Sequence, residues 1–262
     1  MKNWTGKLVG GLIGLVLLPP VGLIIGVLIG HYYDTHLAGR DFGKNIFRTQ
    51  QVFFDSTFLV MGHMAKSDGR VSENEIAATR RVMSFMGLTA NRKKQAVKLF
   101  NKGKQPGFNI EQQLKLLKKT CGHRPSLLRI FLDIQLQVAY ADGILPPAKR
   151  QVLEHICHQL GVPISFQQFE DQFRAEQNYY QHTHNRHSPP PPSSLSEAYR
   201  VLNIDQSASQ IETKKAYRRL MSENHPDKLM AKGLPEDMIK VATEKTQQIK
   251  KAYEQICQAK GW

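Results

Sequence analysis

Residues 214–228 read KKAYRRLMSENHPDK, and this stretch decides how the C-terminal part of the chain is understood. Ile211, Ala216 and Leu220 supply the apolar positions of a helix that Ser209 caps and that runs to about Asn224. Lys214, Lys215, Arg218 and Arg219 fall on the opposite, exposed face. His225-Pro226-Asp227-Lys228 then interrupts the helix, because proline has no N–H to donate and its ring clashes with the preceding turn. Upstream, Leu195–Leu202 reads as a short amphipathic helix with Ser196 as its N-cap. Downstream, a turn around Gly233-Leu234-Pro235 leads into a third helix ending near Cys257. Ile249, Ala252, Tyr253 and Ile256 of that helix are spaced to lie against the second.

His-Pro-Asp alone would fit a simple helix stop. It would also fit an acid–base pair, but no nucleophile, oxyanion site or enclosed pocket accompanies it. Taken together, the tripeptide, the flanking helices and the segment Ile249–Tyr253 (I-x-x-A-Y) closely resemble the J-domain family of DnaJ-type co-chaperones. The resemblance covers nearly all of 195–262. It implies a module with no substrate pocket and no cofactor, which is not itself an enzyme but binds a DnaK-type chaperone and triggers ATP hydrolysis there. Carried over residue by residue, the partner-binding set is His225, Pro226, Asp227 and Lys228 with Lys214, Lys215, Tyr217, Arg218 and Arg219. Asp227 would make a charge-assisted hydrogen bond to an arginine of the partner, and the basic face would steer association with an acidic patch. Pro226 would stiffen the turn, His225 would hold the loop, and Tyr217 would serve either the basic face or helix packing. Thr246 stands where many J-domains have Phe, and neither a Gly/Phe-rich segment nor a cysteine-rich zinc domain is present. Client contact would therefore fall to the middle of the chain.

That middle region, 50–176, has helical periodicity. Leu127, Phe131, Ile134 and Val138 fall at i, i+4, i+7 and i+11, Ile110, Leu114 and Leu117 follow the same spacing, and Val152, Ile156 and Leu160 recur every four. No stretch alternates apolar with polar, so the expected fold class is all-α. Met64–Val71 (MAKSDGRV) and Val138–Leu145 (VAYADGIL) correspond at an offset of 74, each followed by a helix ending in Gly87-Leu88 or Gly161-Val162. Each unit reads as helix, Asp-Gly turn and new helix, begun by Ser72 or Pro146. The pair resembles the TerB-like family of all-helical folds with an internal pseudo-repeat. Asp68 and Asp142 lack the alternating oxygen ligands of a calcium loop, so a turn role and no metal is expected. Residues 177–194 hold four consecutive prolines and read as a linker. Its His182, His184 and His187 have no carboxylate or cysteine nearby to complete a metal site.

At the other end, after a short tail 1–7, Leu8–Gly30 runs 23 residues without a charge. As one helix it would reach about 34 Å, enough to span a bilayer core of about 30 Å. It leads directly into His31-Tyr32-Tyr33 with no cleavage site, so a retained transmembrane anchor is expected, followed by a juxtamembrane segment 31–49. Pro19-Pro20 should kink the span. Gly6, Gly10, Gly14, Gly22, Gly26 and Gly30 share one four-residue register, the spacing of a groove for homodimerisation through the span. Lys2 and Lys7 on one side face Arg40, Lys44 and Arg48 on the other, a slight lean to a cytoplasmic C-terminal bulk. Anchor, TerB-like region, linker and terminal J-domain in this order resemble the membrane-anchored DnaJ-like co-chaperones of the bacterial inner membrane. That resemblance implies a single pass with the short N-terminus periplasmic and a link to stress response.

Composition sets the outer limits. The chain has 262 residues, 36 Lys plus Arg and 22 Asp plus Glu, for a net charge of +14. Arg92–Lys119 carries nine bases against the single acid Glu111. Such an excess favours anionic lipid, nucleic acid or an acidic protein surface. No nucleic-acid recognition motif is present, so nucleic acid is not the expected partner. Cys121, Cys157 and Cys257 form no CxxC pair, which excludes a zinc ribbon and a disulfide-stapled fold. A scaffold whose middle region senses envelope signals, with a vestigial J-domain, is the remaining alternative.

Overall fold

The computed structural model describes residues 5–17, 21–32, 38–67, 69, 73–140, 143–162, 165–184 and 192–262. All regular structure among them is helical, and the chain divides into two units, Met1–Arg48 and Thr49–Trp262.

In the first unit the apolar stretch forms two helices, α1 (Thr5–Leu17) and α2 (Val21–Tyr32), which pack against each other. The expected single kinked span is thus divided on either side of the segment holding Pro19-Pro20. Two adjacent prolines remove two successive N–H donors, which favours a kink or break in a helix. At about 1.5 Å per residue the pieces reach about 20 Å and 18 Å. No helix among the described residues is long and apolar enough to cross a membrane. The outward side chains are nonetheless apolar, Leu12, Val16, Ile24 and Ile29 among them, a surface suited to hydrocarbon rather than water. Gly26 is buried. The side-chain surroundings of the other five glycines of the register lie outside the described residues.

The second unit is built around α7 (Pro125–Ala139), in which Leu127, Phe131, Ile134 and Val138 are all buried, as their spacing requires. Around it stand α3 (Ala38–Lys66, from Thr49 onward in this unit), α4 (Glu73–Phe85), α5 (Ala90–Gly103), α6 (Ile110–Cys121), α8 (Pro147–Leu160) and α9 (Phe166–His184). The pseudo-repeat is present in the backbone. Gly69 and Gly143 have φ of 94° and 81°, and Gly87 and Gly161 share a φ of 69°. A left-handed residue ends each helix at the same place in both copies, a conformation that glycine adopts without a Cβ penalty. Asp68, Asp142, Ser72 and His187 lie outside the described residues. Helix α9 extends to His184, into the segment read as linker, and carries His182 and His184.

The C-terminal segment adds α10 (Pro192–Val201), α11 (Gln210–Asn224), α12 (Pro226–Ala231), a 3-10 turn at Glu236–Met238 and α13 (Ile239–Lys260). Helix α10 begins at Pro192 rather than after Ser196, since proline's φ suits a first helical turn. Ser196 sits within the helix and accepts a hydrogen bond from the Gln206 side chain at 3.1 Å. Tyr199, Leu202, Leu220, Ile249, Ala252 and Ile256 form the core joining α10, α11 and α13. Ile211 is 80% exposed and does not join it; buried Thr213 holds that face instead. Thr246 is buried and donates its hydroxyl to the Thr243 carbonyl at 2.8 Å, which satisfies the polar atom where an apolar ring would otherwise pack.

Candidate functional site

Helix α11 is set from its first turn. The Ser209 hydroxyl accepts from the Glu212 N–H at 3.3 Å, while the Ser209 N–H donates to Glu212 Oε2 at 2.8 Å, a reciprocal capping box. The hydrogen bonds from Ser209, that of its backbone N–H foremost, hold the Glu212 carboxyl below the ordinary carboxylate range. Two turns on, Ala216 and Leu220 are buried, which leaves Lys214, Lys215, Arg218 and Arg219 exposed as a cationic face. Arg219 lies 3.8 Å from Glu223, one turn along. Tyr217 takes the packing role: it is half-buried and stacks on Tyr253 of α13.

The end of α11 is where sequence reading and structure part. His225-Pro226-Asp227 is not an open turn but the start of α12. His225, with φ −60° and ψ 127°, closes α11 and is at once the N-cap of α12. Its Nδ1 accepts the Asp227 N–H at 3.2 Å, so the proton of the neutral ring sits on Nε2. Pro226 occupies the first helical position, where its missing N–H costs nothing. Asp227 follows in the first turn, where the helix dipole favours a carboxylate, and its side chain is 80% exposed. Lys228 donates to Ser222 Oγ at 2.5 Å, tying the new helix back to α11. His225 Nδ1 and Asp227 Oδ2 are 3.9 Å apart and both are solvated, too far and too wet for an acid–base pair.

The arrangement is an exposed carboxylate at the start of α12, following a helix whose outer face carries four exposed cations. It is built on a helical module of α10 to α13, joined to an all-helical domain with an internal repeat; an apolar helix pair precedes both in the chain. Family profiles match all three parts: Co-chaperone DjlA transmembrane domain over residues 1–45, Tellurite resistance protein TerB over 55–173, and DnaJ domain over 197–260. Among similar proteins, Co-chaperone protein DjlA of Coxiella burnetii (strain RSA 493 / Nine Mile phase I) is 51% identical, over 97% of both chains. That of Legionella pneumophila is 39% identical over 100% of this chain and 97% of its own. That of Vibrio cholerae serotype O1 is 40% identical over 98% of each.

The chain belongs to the DjlA co-chaperone family. It carries the DjlA transmembrane domain at its N-terminus and a J-domain at its C-terminus, the all-α organisation expected from the sequence. No solved structure matches it significantly.

Sequence reasoning missed α12 and what lies beneath it. Leu229, Leu234, Met238 and Ala242 are buried in the core of the TerB-like domain rather than in that of the J-domain. The signal available was Leu229 and Leu234 in KLMAKGLPEDM, apolar residues outside the helices read from the sequence.

Proposed function

We propose that this DjlA-family protein is a membrane-anchored co-chaperone whose J-domain recruits a cytosolic DnaK-type chaperone and stimulates its ATPase through His225-Pro226-Asp227. The observation that carries this reading is the exposed Asp227 carboxylate at the start of α12, following the exposed cationic face of α11. Lys214, Lys215, Arg218 and Arg219 attract an acidic patch on the partner. Asp227 then engages a cationic group there, a bond stronger than its neutral counterpart. Pro226 and the His225 cap fix the direction of that carboxylate, and Lys228 holds α12 against α11. The protein supplies no chemistry of its own; hydrolysis occurs in the partner.

The test is steady-state ATP hydrolysis by a DnaK-type chaperone with the full chain and with Asp227→Asn or His225→Gln. Loss of stimulation with unchanged circular dichroism supports the reading, and undiminished stimulation by Asp227→Asn rejects it. Reversing the charges of Arg218 and Arg219 slows association and flattens its salt dependence.

The C-terminal bulk faces the cytoplasm in this proposal, where the partner and its ATP are found. A single crossing places the short N-terminus in the periplasm, and protease access to an N-terminal tag from that side separates it from a helix pair returning to the cytoplasm. Gly6, Gly10, Gly14, Gly22, Gly26 and Gly30 support homodimerisation by close backbone approach. Bulky residues at Gly10, Gly14, Gly22 and Gly26 then abolish self-association, as a membrane two-hybrid signal reads it.

A further inference from the structure

Helix α12 has six residues, and an isolated helix in water needs about twelve or more to be even marginally stable. Its persistence depends on what it packs against: α11 and α13 on the J-domain side and, through Leu229, the core of the TerB-like domain. Leu229 on its underside and Leu234 just beyond it are fully buried in that domain's core, as is Met238 of the 3-10 turn.

Polar contacts from three helices of the TerB-like domain surround this apolar anchor. Gln50 of α3 donates to the Leu234 carbonyl at 3.3 Å. Arg92 of α5 donates from Nε to Asp237 Oδ2 at 2.8 Å, its guanidinium 3.6 Å from the centre of the Phe54 ring. From the J-domain side, Lys232 reaches Ser126 Oγ of α7 at 3.0 Å, and Lys245 of α13 pairs with Asp133 of α7 at 3.2 Å. The last pair is nearly buried, with side chains 11% and 13% exposed, where removal of one partner would strand the other's charge. None of these contacts covers the basic face of α11 or the Asp227 carboxylate.

We infer that the TerB-like domain is the positioning element of the J-domain: by clamping α12 and the loop after it, this domain sets the direction in which Asp227 is presented. The inference rests on the J-domain reading above. Its physical content is preorganisation: a carboxylate already held in its binding direction loses less freedom on docking. Arg92 and Asp237 are positioning residues and do not touch the partner.

The experiment uses the full chain in detergent with three variants: Arg92→Glu, which sets like charges together, the exchanged pair Arg92→Glu/Asp237→Lys, and Ser126→Ala. Amide hydrogen exchange is followed at Leu229–Lys232, with α7 and α11 amides as references, alongside ATPase stimulation of a DnaK-type chaperone. For Arg92→Glu we expect exchange in α12 to rise at least about tenfold, a factor worth about 1.4 kcal/mol of local opening, with the references unchanged. Maximal stimulation falls several-fold while the half-saturating concentration, set by the α11 face, stays within about twofold. The exchanged pair restores both. Should Arg92→Glu also expose the α7 amides, Ser126→Ala is read in its place, with faster α12 exchange and lower stimulation again expected. Wild-type exchange in α12, or faster exchange with full stimulation, overturns the clamp. If Asp227→Asn in the same assay leaves stimulation intact, the J-domain reading fails instead, while the exchange data still judge the clamp.

Discussion

The Tyr217 ring lies nearly parallel to that of Tyr253, with centroids 4.2 Å apart and planes inclined by 14°. This pair closes the contact between α11 and α13 at the foot of the basic face. Tyr217 is half-buried in that contact, whereas Arg218 and Arg219 are exposed.

Replacing Tyr217 by Leu keeps much of the apolar area but loses the stacking, a contribution of about 0.5–1.5 kcal/mol for an aromatic pair. A double-mutant cycle with Tyr253→Leu, read from amide exchange in α11 and α13, is expected to return a coupling in that range. A coupling of zero would mean that the rings only touch.

His225 has a job that does not involve the partner, the N-cap of α12 through Nδ1. Asparagine is among the best N-caps, so His225→Asn should retain the protection of the Asp227 amide, whereas His225→Ala should lose about 1 kcal/mol of it. Hydrogen exchange at that amide distinguishes the two, and equal protection in both variants would dismiss the cap.

Helices α3 and α5 approach through two glycines. A Cβ on Gly62 would lie 2.1 Å from the Phe100 carbonyl oxygen, and one on Gly103 would lie 2.0 Å from that of Leu59. The obstacle is backbone in both cases, so neither side chain can move aside. Gly62→Ala and Gly103→Ala are each expected to cost about 3 kcal/mol, the upper end for overpacking. Gly107→Ala, with nothing within 4 Å of its Cβ, serves as the neutral comparison. Urea midpoints of the three variants decide it.

The capping box of α11 titrates. Its Ser209 hydrogen bonds lower the pKa of Glu212 below the ordinary 4.5. A lowered folded pKa means the contribution is complete above the unfolded value and disappears as pH falls through the lower folded one. Fraying of the first turn of α11 should therefore begin only below about pH 4.5 and be absent as a pH-dependent step in Glu212→Gln. Side-chain carboxyl shifts followed by NMR against pH provide the measurement.

Much of the site was legible because its signals are local. Ser209 and Glu212 stand three apart, the spacing a capping box needs, and Ala216 and Leu220 mark the inner face that leaves the four cations outside. The 74-residue offset paired the glycines that share left-handed backbone, Gly87 with Gly161. Ile211 misled because apolar spacing was read without the packing that leaves it in solvent. Ser196 misled because a good cap residue can equally serve inside a helix, once proline provides an earlier start.

Sequence alone determined most of the helices, the turns of the repeat, the apolar N-terminal stretch and the residues of the His-Pro-Asp segment, since each depends on neighbours within a turn or two of the chain. Tertiary structure alone decided that the apolar stretch forms two packed helices, that Asp227 opens a helix, and that this helix is anchored in another domain. The reason is separation: Arg92 and Asp237 are 145 residues apart, and Lys245 and Asp133 are 112 apart. No periodicity or cap carries information over such distances, and only the folded chain brings those charges together.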